Sequence, residues 1–373
     1  MIDPALFVRT LKQYSVEFYA GVPDSLLKNL CAWLDDHSNA NQHVITANEG
    51  NAVALVTGYY LATGKPGVVY MQNSGLGNTI NPLASLADPE VYSVPILLII
   101  GWRGAPDIKD EPQHIKQGRI TQGQLDLLEI PYRILENQSD IEKLIPELLS
   151  VMTKKSCPVA LLVRKNTFLP YKKNRSYPPL SQLSREEALS HILGLSDDRD
   201  LVVSTTGKTS REVYELRQLR KEKQRDFLTV GSMGHTSSIA LGVALGRSDK
   251  RVICLDGDGS LIMHMGAMPI IGSLKPANFV HILLNNAAHE SVGGQATAAR
   301  NIDFKSMATA CGYQIYCLVR NKEELSASWE QISDFPGPAF IELQIRTGSR
   351  PDLGRPATTP IQNKNAFMES CHG

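Results

Sequence analysis

Asp258 and Asn286 are the two side chains in this sequence best suited to hold a cation together. A carboxylate, a carboxamide oxygen and a backbone carbonyl just beyond suit a small hard ion such as Mg2+, which keeps water and takes further oxygens from a phosphate. A helix expected to open near Ser260 would turn its free N–H groups to the same place, leaving room for a diphosphate. Asp256, Asp258 and Ser260 also alternate like the ligands of a calcium loop. That loop needs Gly at its sixth position and Glu at its twelfth, where this chain has Leu261 and Ala267. For the Asp-Gly pair taken alone, an ordinary strand-end turn with a helix cap is an equal reading.

Asp258 and Asn286 can meet only if the chain brings them to one edge. The apolar runs 252–255 and 279–284 read as parallel strands flanking a helix-length segment, and such a unit places both strand ends on the same side of a sheet. Pro269 fits the intervening helix poorly, so a kink or early break is expected there. Further strands are predicted at 17–22, 43–47, 67–71, 94–101, 132–135, 158–163, 201–205, 314–319 and 339–345. Strands alternating with helical stretches predict α/β architecture with parallel sheets covered on both faces.

The length of 373 residues accommodates two domains. A shift in composition with Pro170, Pro178 and Pro179 marks a linker at 167–184, between domains at 1–166 and 185–373. The stretch between Trp102 and Gln124 is polar and reads as a long loop, either solvated and charge-balanced or a lid. It carries Arg103, Lys109, His114, Lys116 and Arg119 among Asp107, Asp110 and Glu111.

The 38 basic residues balance the 38 acidic ones, so nothing in the totals points to nucleic acid or an anionic membrane. The amino terminus lacks the features of a secretory signal, and no apolar run reaches the length of a membrane span. The six cysteines include no C-x-x-C pair, which fits a reducing cytoplasm.

The G-D-G-S at 257–260 followed by N-N at 285–286 resembles the metal and diphosphate motif of thiamine diphosphate enzymes. That resemblance implies side-chain oxygens from Asp258 and Asn286 on Mg2+, with the carbonyl of Ala288 as a third ligand. Glu49, by itself, reads as an acid in the first turn of a helix capped by Asn48. Yet the stretch after it, with G-Y at 58–59, T-G-K-P-G-V at 63–68 and N-S-G-L-G-N at 73–78, is similar to the pyrimidine-binding domain of the same enzymes. Leu76 stands where many members have Pro. The resemblance implies that Glu49 bonds the pyrimidine N1', shifts the ring to its imino tautomer, and has its carboxyl pKa raised by desolvation.

The turn 205–210 has the look of a phosphate-binding strand-to-helix turn, although a Walker loop is not matched. In G-S-M-G-H-T at 231–236 the resemblance makes Met233 the wedge that bends the cofactor and the Gly231 carbonyl an acceptor for its amino group. Without the flanking motifs Met233 reads as a core methionine. The implied cofactor contacts are thus Glu49, Asn73, Gly75, Gly207, Gly231, Met233, Gly257, Gly259, Ser260 and Asn286.

The motifs come in the order pyrimidine domain, then diphosphate domain, which implies a pair of three-layer α/β/α domains with no central third one. Together with G-V-P-D-S-L-L at 21–27, the stretch 109–121, N-N-A-A-H-E-S-V-G-G-Q at 285–295 and R-P-D-L-G-R-P at 350–356, this compact form is similar to the decarboxylases of phosphonopyruvate and sulfopyruvate. Non-oxidative decarboxylation of a small anionic 2-oxo acid through the cofactor's C2 carbanion is implied, in at least a homodimer. Lys109, His114 and His289 are the candidates for substrate contact and catalysis, by nearness to the motifs. A nicotinamide oxidoreductase would need G-x-G-x-x-G after its first strand, with an acid following, and no such pairing occurs. The presence of Glu49 with Asp258 and Asn286 argues against a non-catalytic binding subunit.

Overall fold

The computed structural model describes residues 1–333 and 336–373. The chain forms two compact units, 1–176 with 292–295, and 177–291 with 296–373, so the division falls inside the proline-rich stretch.

In the first unit, β1 (Tyr19–Gly21), β2 (His43–Ile45), β3 (Gly67–Gln72), β4 (Ile96–Gly101), β5 (Tyr132–Leu135) and β6 (Val159–Val163) form a parallel sheet of order β2-β1-β3-β4-β6-β5. The central strands are apolar throughout because both faces are covered. Val68, Tyr70, Leu97 and Ile99 pack to one side against Leu30, Leu34 and Leu148, while Val69, Met71, Leu98 and Ile100 pack to the other against Ala52, Val53 and Leu125.

The second unit repeats the plan. β7 (Leu201–Ser204), β8 (Phe227–Leu228), β9 (Val252–Gly257), β10 (Phe279–Asn285), β13 (Ile315–Val319) and β14 (Ala339–Gln344) form a parallel sheet of order β13-β14-β10-β9-β7-β8. The short strands β11 (Ala288–His289) and β12 (Gln295–Ala296) stand outside it. Numbered from its own first strand, each sheet reads second, first, third, fourth, sixth, fifth. The connections therefore reverse direction between β1 and β3 in one sheet and between β7 and β9 in the other. Carboxyl ends of strands at such a reversal leave a crevice where ligands bind. Among the described residues there is no third domain.

The expected loop between Trp102 and Gln124 is a helix over most of its length, Pro112–Leu127. Its inward face consists of His114, Gly118, Thr121 and Leu125, spaced for a helix but mostly small or polar, so hydrophobic periodicity hid it. Two contacts hold the helix down: the Trp102 indole N–H donates to the Gly118 carbonyl at 2.8 Å, and Gly118 packs so tightly on Gly104 that a β-carbon there would overlap the Gly104 carbonyl.

The helix after β9 breaks early, as expected, into Asp258–Met263 and Ala267–Leu274. Pro269 falls in the first turn of the second piece, where its missing N–H costs no helical bond. All six cysteines are free thiols. Among the described residues no helix is long and apolar enough to cross a membrane.

Candidate active site

In the second unit, the pairing of Leu284 with Gly257 sets the ends of β10 and β9 level, which brings Asn286 beside Asp258. Asp258 is 3% exposed. Its carboxylate accepts the Thr297 hydroxyl and backbone N–H groups, including those of Gly259 and Asn286. Burial outweighs these bonds and pushes the carboxyl pKa up to about 6. Among the described residues no ion pair reaches it. A buried, uncompensated carboxylate next to a carboxamide is a donor set that a hard divalent cation satisfies, so Mg2+ fits these residues. Between the two ligand positions and Ala288, Ala287 takes a left-handed φ of 54°, which reverses the chain at the point where the Ala288 carbonyl is expected to serve.

The crevice at the β7/β9 reversal is lined by two turns. Thr205 donates to the Ser260 hydroxyl at 3.2 Å, and the Gly234 N–H donates to the same hydroxyl at 3.2 Å, so Ser260 ties both turns to the strand end. Gly207 has a φ of 93° and opens the helix Lys208–Leu219. Met233 is only partly buried. A β-carbon on Gly259 would lie 3.1 Å from the His289 ring and 3.4 Å from the Met233 methyl, so the three surround a small cradle that glycine leaves open. Burial pushes the His289 pKa down to about 4, keeping the ring neutral at physiological pH.

In the first unit, Glu49 opens the helix Glu49–Thr63 after β2, with Asn48 as its cap, and is 5% exposed. The Asn78 amide donates to Glu49 Oε2 at 2.7 Å. Its other oxygen, Oε1, lies against Gly75, where any side chain would collide with it. Glu49 and Gly75, far apart in sequence, thus sit together at the β1/β3 reversal.

Asn73 is fully buried, and its carboxamide is engaged within the unit. It accepts the Arg103 N–H at 3.1 Å and donates to the Arg103 carbonyl and the Thr121 hydroxyl, each at 2.9 Å. The side chain is therefore a strut between the β3 and β4 turns, and a cofactor would meet the Asn73 turn through its backbone.

His114 is buried, with Nδ1 2.9 Å from Asp110 Oδ1. Burial holds its pKa below the ordinary histidine value despite Asp110. Lys109 is exposed on the segment just before this helix. The Arg103 guanidinium bonds both Asp110 oxygens and the Ser25 hydroxyl at 2.8 Å. Burial opposes ionisation of Asp110, but its bonds to Arg103 and His114 prevail and hold its carboxyl well below the usual range. Of this network only His114 was assigned from sequence; Arg103, Asp110 and Ser25 were not, nor were Thr297 and Glu290. The fully buried Asp24, with an unpartnered Oδ1, was not assigned either. The motifs at 21–27, 109–121 and 285–295 run through Asp24, Ser25, Asp110 and Glu290 without giving any of these four a role.

Residues 4–127 match the family described as thiamine pyrophosphate enzyme, N-terminal TPP binding domain, and residues 205–343 match its C-terminal TPP binding domain. The chain belongs to the thiamine pyrophosphate enzymes, whose cofactor is also called thiamine diphosphate. It is 33% identical to the phosphonopyruvate decarboxylase of Streptomyces viridochromogenes over 98% of this chain and 94% of that protein. The phosphonopyruvate decarboxylase of Streptomyces hygroscopicus is 32% identical over 99% and 94%. The sulfopyruvate decarboxylase of Methanosarcina acetivorans is 29% identical over 92% and 91%.

Proposed function

We propose that this chain is a thiamine diphosphate-dependent 2-oxo acid decarboxylase that converts phosphonopyruvate, with uptake of a proton, to phosphonoacetaldehyde and CO2. The observation that carries the reading is its similarity to two phosphonopyruvate decarboxylases over nearly their whole length. Sulfopyruvate is the second reading, favoured by likeness to a sulfopyruvate decarboxylase at slightly lower identity. The two substrates share a 2-oxo acid and differ in one anionic head group.

When bound, thiamine diphosphate supplies a nucleophilic C2 carbon and a positively charged ring that accepts the electron pair released with CO2. The chain's own residues would do the rest. Asp258, Asn286 and the Ala288 carbonyl would hold Mg2+, and the turns at Gly207, Gly231, Gly257, Gly259 and Ser260 would receive the cofactor. Met233 and His289 would wall the cradle over Gly259. Glu49, with Oε2 engaged by Asn78 and Oε1 facing the Gly75 gap, would hold the proton that the pyrimidine exchanges.

Glu49 and Asp258 belong to different units, and we infer a homo-oligomer, a dimer at least, as the resemblance to the family implies. Cytoplasmic location, phosphonate biosynthesis, and substrate contact by Lys109 and His114 complete the reading. CO2 release from phosphonopyruvate, sulfopyruvate and pyruvate, assayed side by side with thiamine diphosphate and Mg2+, tests it. The highest kcat/KM is expected with phosphonopyruvate. A preference for either of the others would replace the substrate, and release from none would overturn the activity.

A further inference from the structure

The carboxamide of Asn286 is held at both ends. Its Nδ2 donates to Oε2 of Glu290 at 3.0 Å, and its Oδ1 accepts the Ala288 N–H at 3.0 Å. A carboxylate only accepts, so Glu290 selects the amide nitrogen and turns the oxygen away from itself. An amide oxygen has two lone pairs, and Oδ1 keeps one for a further partner.

Glu290 is itself immobilised. Lys208 Nζ lies 2.7 Å from Oε1 and the Arg185 guanidinium 3.0 Å from Oε2. Arg185 is locked in turn by a two-point bond to the buried Glu212 at 2.7 and 2.9 Å. The anchors arrive from separate elements: Arg185 begins the helix Arg185–Leu195, Glu212 lies within Lys208–Leu219, and Lys208 starts that second helix directly after the Gly207 turn. A rigid chain of charge-assisted bonds thus runs from two helices to the amide of one residue at the cation site.

We propose that Glu290 is a positioning residue for the cation, fixing the Asn286 carboxamide so that its oxygen faces the ion. The inference rests on the reading of Asn286 as a ligand. Without Glu290, only the Ala288 N–H still selects the oxygen, and the flipped amide, which presents N–H groups to the metal, becomes accessible at the cost of that one bond.

The test is Mg2+ binding by the full chain at saturating thiamine diphosphate, followed calorimetrically, alongside the Mg2+ dependence of CO2 release. Glu290→Ala should weaken Mg2+ binding by at least about tenfold while kcat at saturating Mg2+ stays within about threefold. Glu290→Gln keeps an acceptor oxygen and should restore most of the affinity. The double variant Asn286→Ala/Glu290→Ala should bind no more weakly than Asn286→Ala, because Glu290 acts through Asn286. If Glu290→Ala does not fold, Glu290→Leu removes the acceptor at similar volume. Unchanged Mg2+ affinity in the variant lacking the acceptor overturns the proposal, as does an equal loss in Glu290→Gln, which would mark charge rather than orientation. If Asn286→Ala itself leaves Mg2+ binding unchanged, it is the ligand reading that fails.

Discussion

Gly75 and Glu49 occupy one space: the room that Gly75 leaves empty is where Oε1 of Glu49 lies. Gly75→Ala should displace the carboxylate, because a β-carbon there would overlap Oε1, Cδ and Cγ of Glu49 and the whole side chain must turn aside. A misplaced proton-holding group costs on the order of 100-fold in turnover. Steady-state CO2 release, with circular dichroism as the folding control, checks this, and a near-wild-type rate would show that the contact has no catalytic meaning.

Glu49→Gln preserves the shape and a hydrogen-bonding oxygen but cannot relay a proton. It should bind thiamine diphosphate almost as well as the wild type while losing at least about 100-fold in kcat, the lower end of the range for a general acid–base group. Cofactor binding by fluorescence quenching, set against CO2 release, separates the two effects.

Asp258 makes the metal-free protein less stable than it could be. Its pKa of about 6 in the folded chain exceeds the value near 3.9 expected when unfolded, so the unfolded state ionises first as pH rises. Stability is therefore lost between about pH 4 and pH 6 and stays lost above, by on the order of 3 kcal/mol from this group. Asp258→Asn should remove the loss. Urea unfolding without metal should find the variant more stable than the wild type at pH 7.5 and nearly equal to it at pH 4, while Mg2+ with cofactor should stabilise the wild type only. Equal stabilities at pH 7.5 would contradict the assignment.

Asn73→Ala strips three hydrogen bonds from a fully buried position, takes from the Arg103 carbonyl the amide that bonds it, and leaves the Arg103 N–H only the Gly101 carbonyl at 3.2 Å. Unsatisfied buried groups cost about 1–3 kcal/mol each. A loss of about 2–4 kcal/mol is expected in denaturant unfolding, larger than its effect on cofactor affinity. The reverse ranking would make Asn73 a binding side chain rather than a strut.

Much of the architecture was legible in the residues because the strands are buried on both faces and read as unbroken apolar runs. The meeting of Asp258 with Asn286 followed from strand–helix–strand geometry alone. The helix Pro112–Leu127 escaped notice because its inward face is built from His114, Gly118 and Thr121, and no hydrophobic stripe announces such a face. β8 is too short to signal itself, its two residues being placed by the neighbouring strand. In the sequence Glu290 stands only as part of the 285–295 motif, with no role of its own. Only the folded chain shows Arg185 and Lys208, distant in sequence, converging on it.

Because both sheets share one wiring plan, equivalent strand ends can be compared across the halves. The end of the third strand carries Asn73 in one half and Asp258 in the other, and the end of the fourth carries Arg103 and Asn286. The same scaffold thus presents internal bracing at these posts in one half and candidate cation ligands in the other. Labour has been divided by changing the residues at a few corresponding posts, while the framework beneath them has been kept twice.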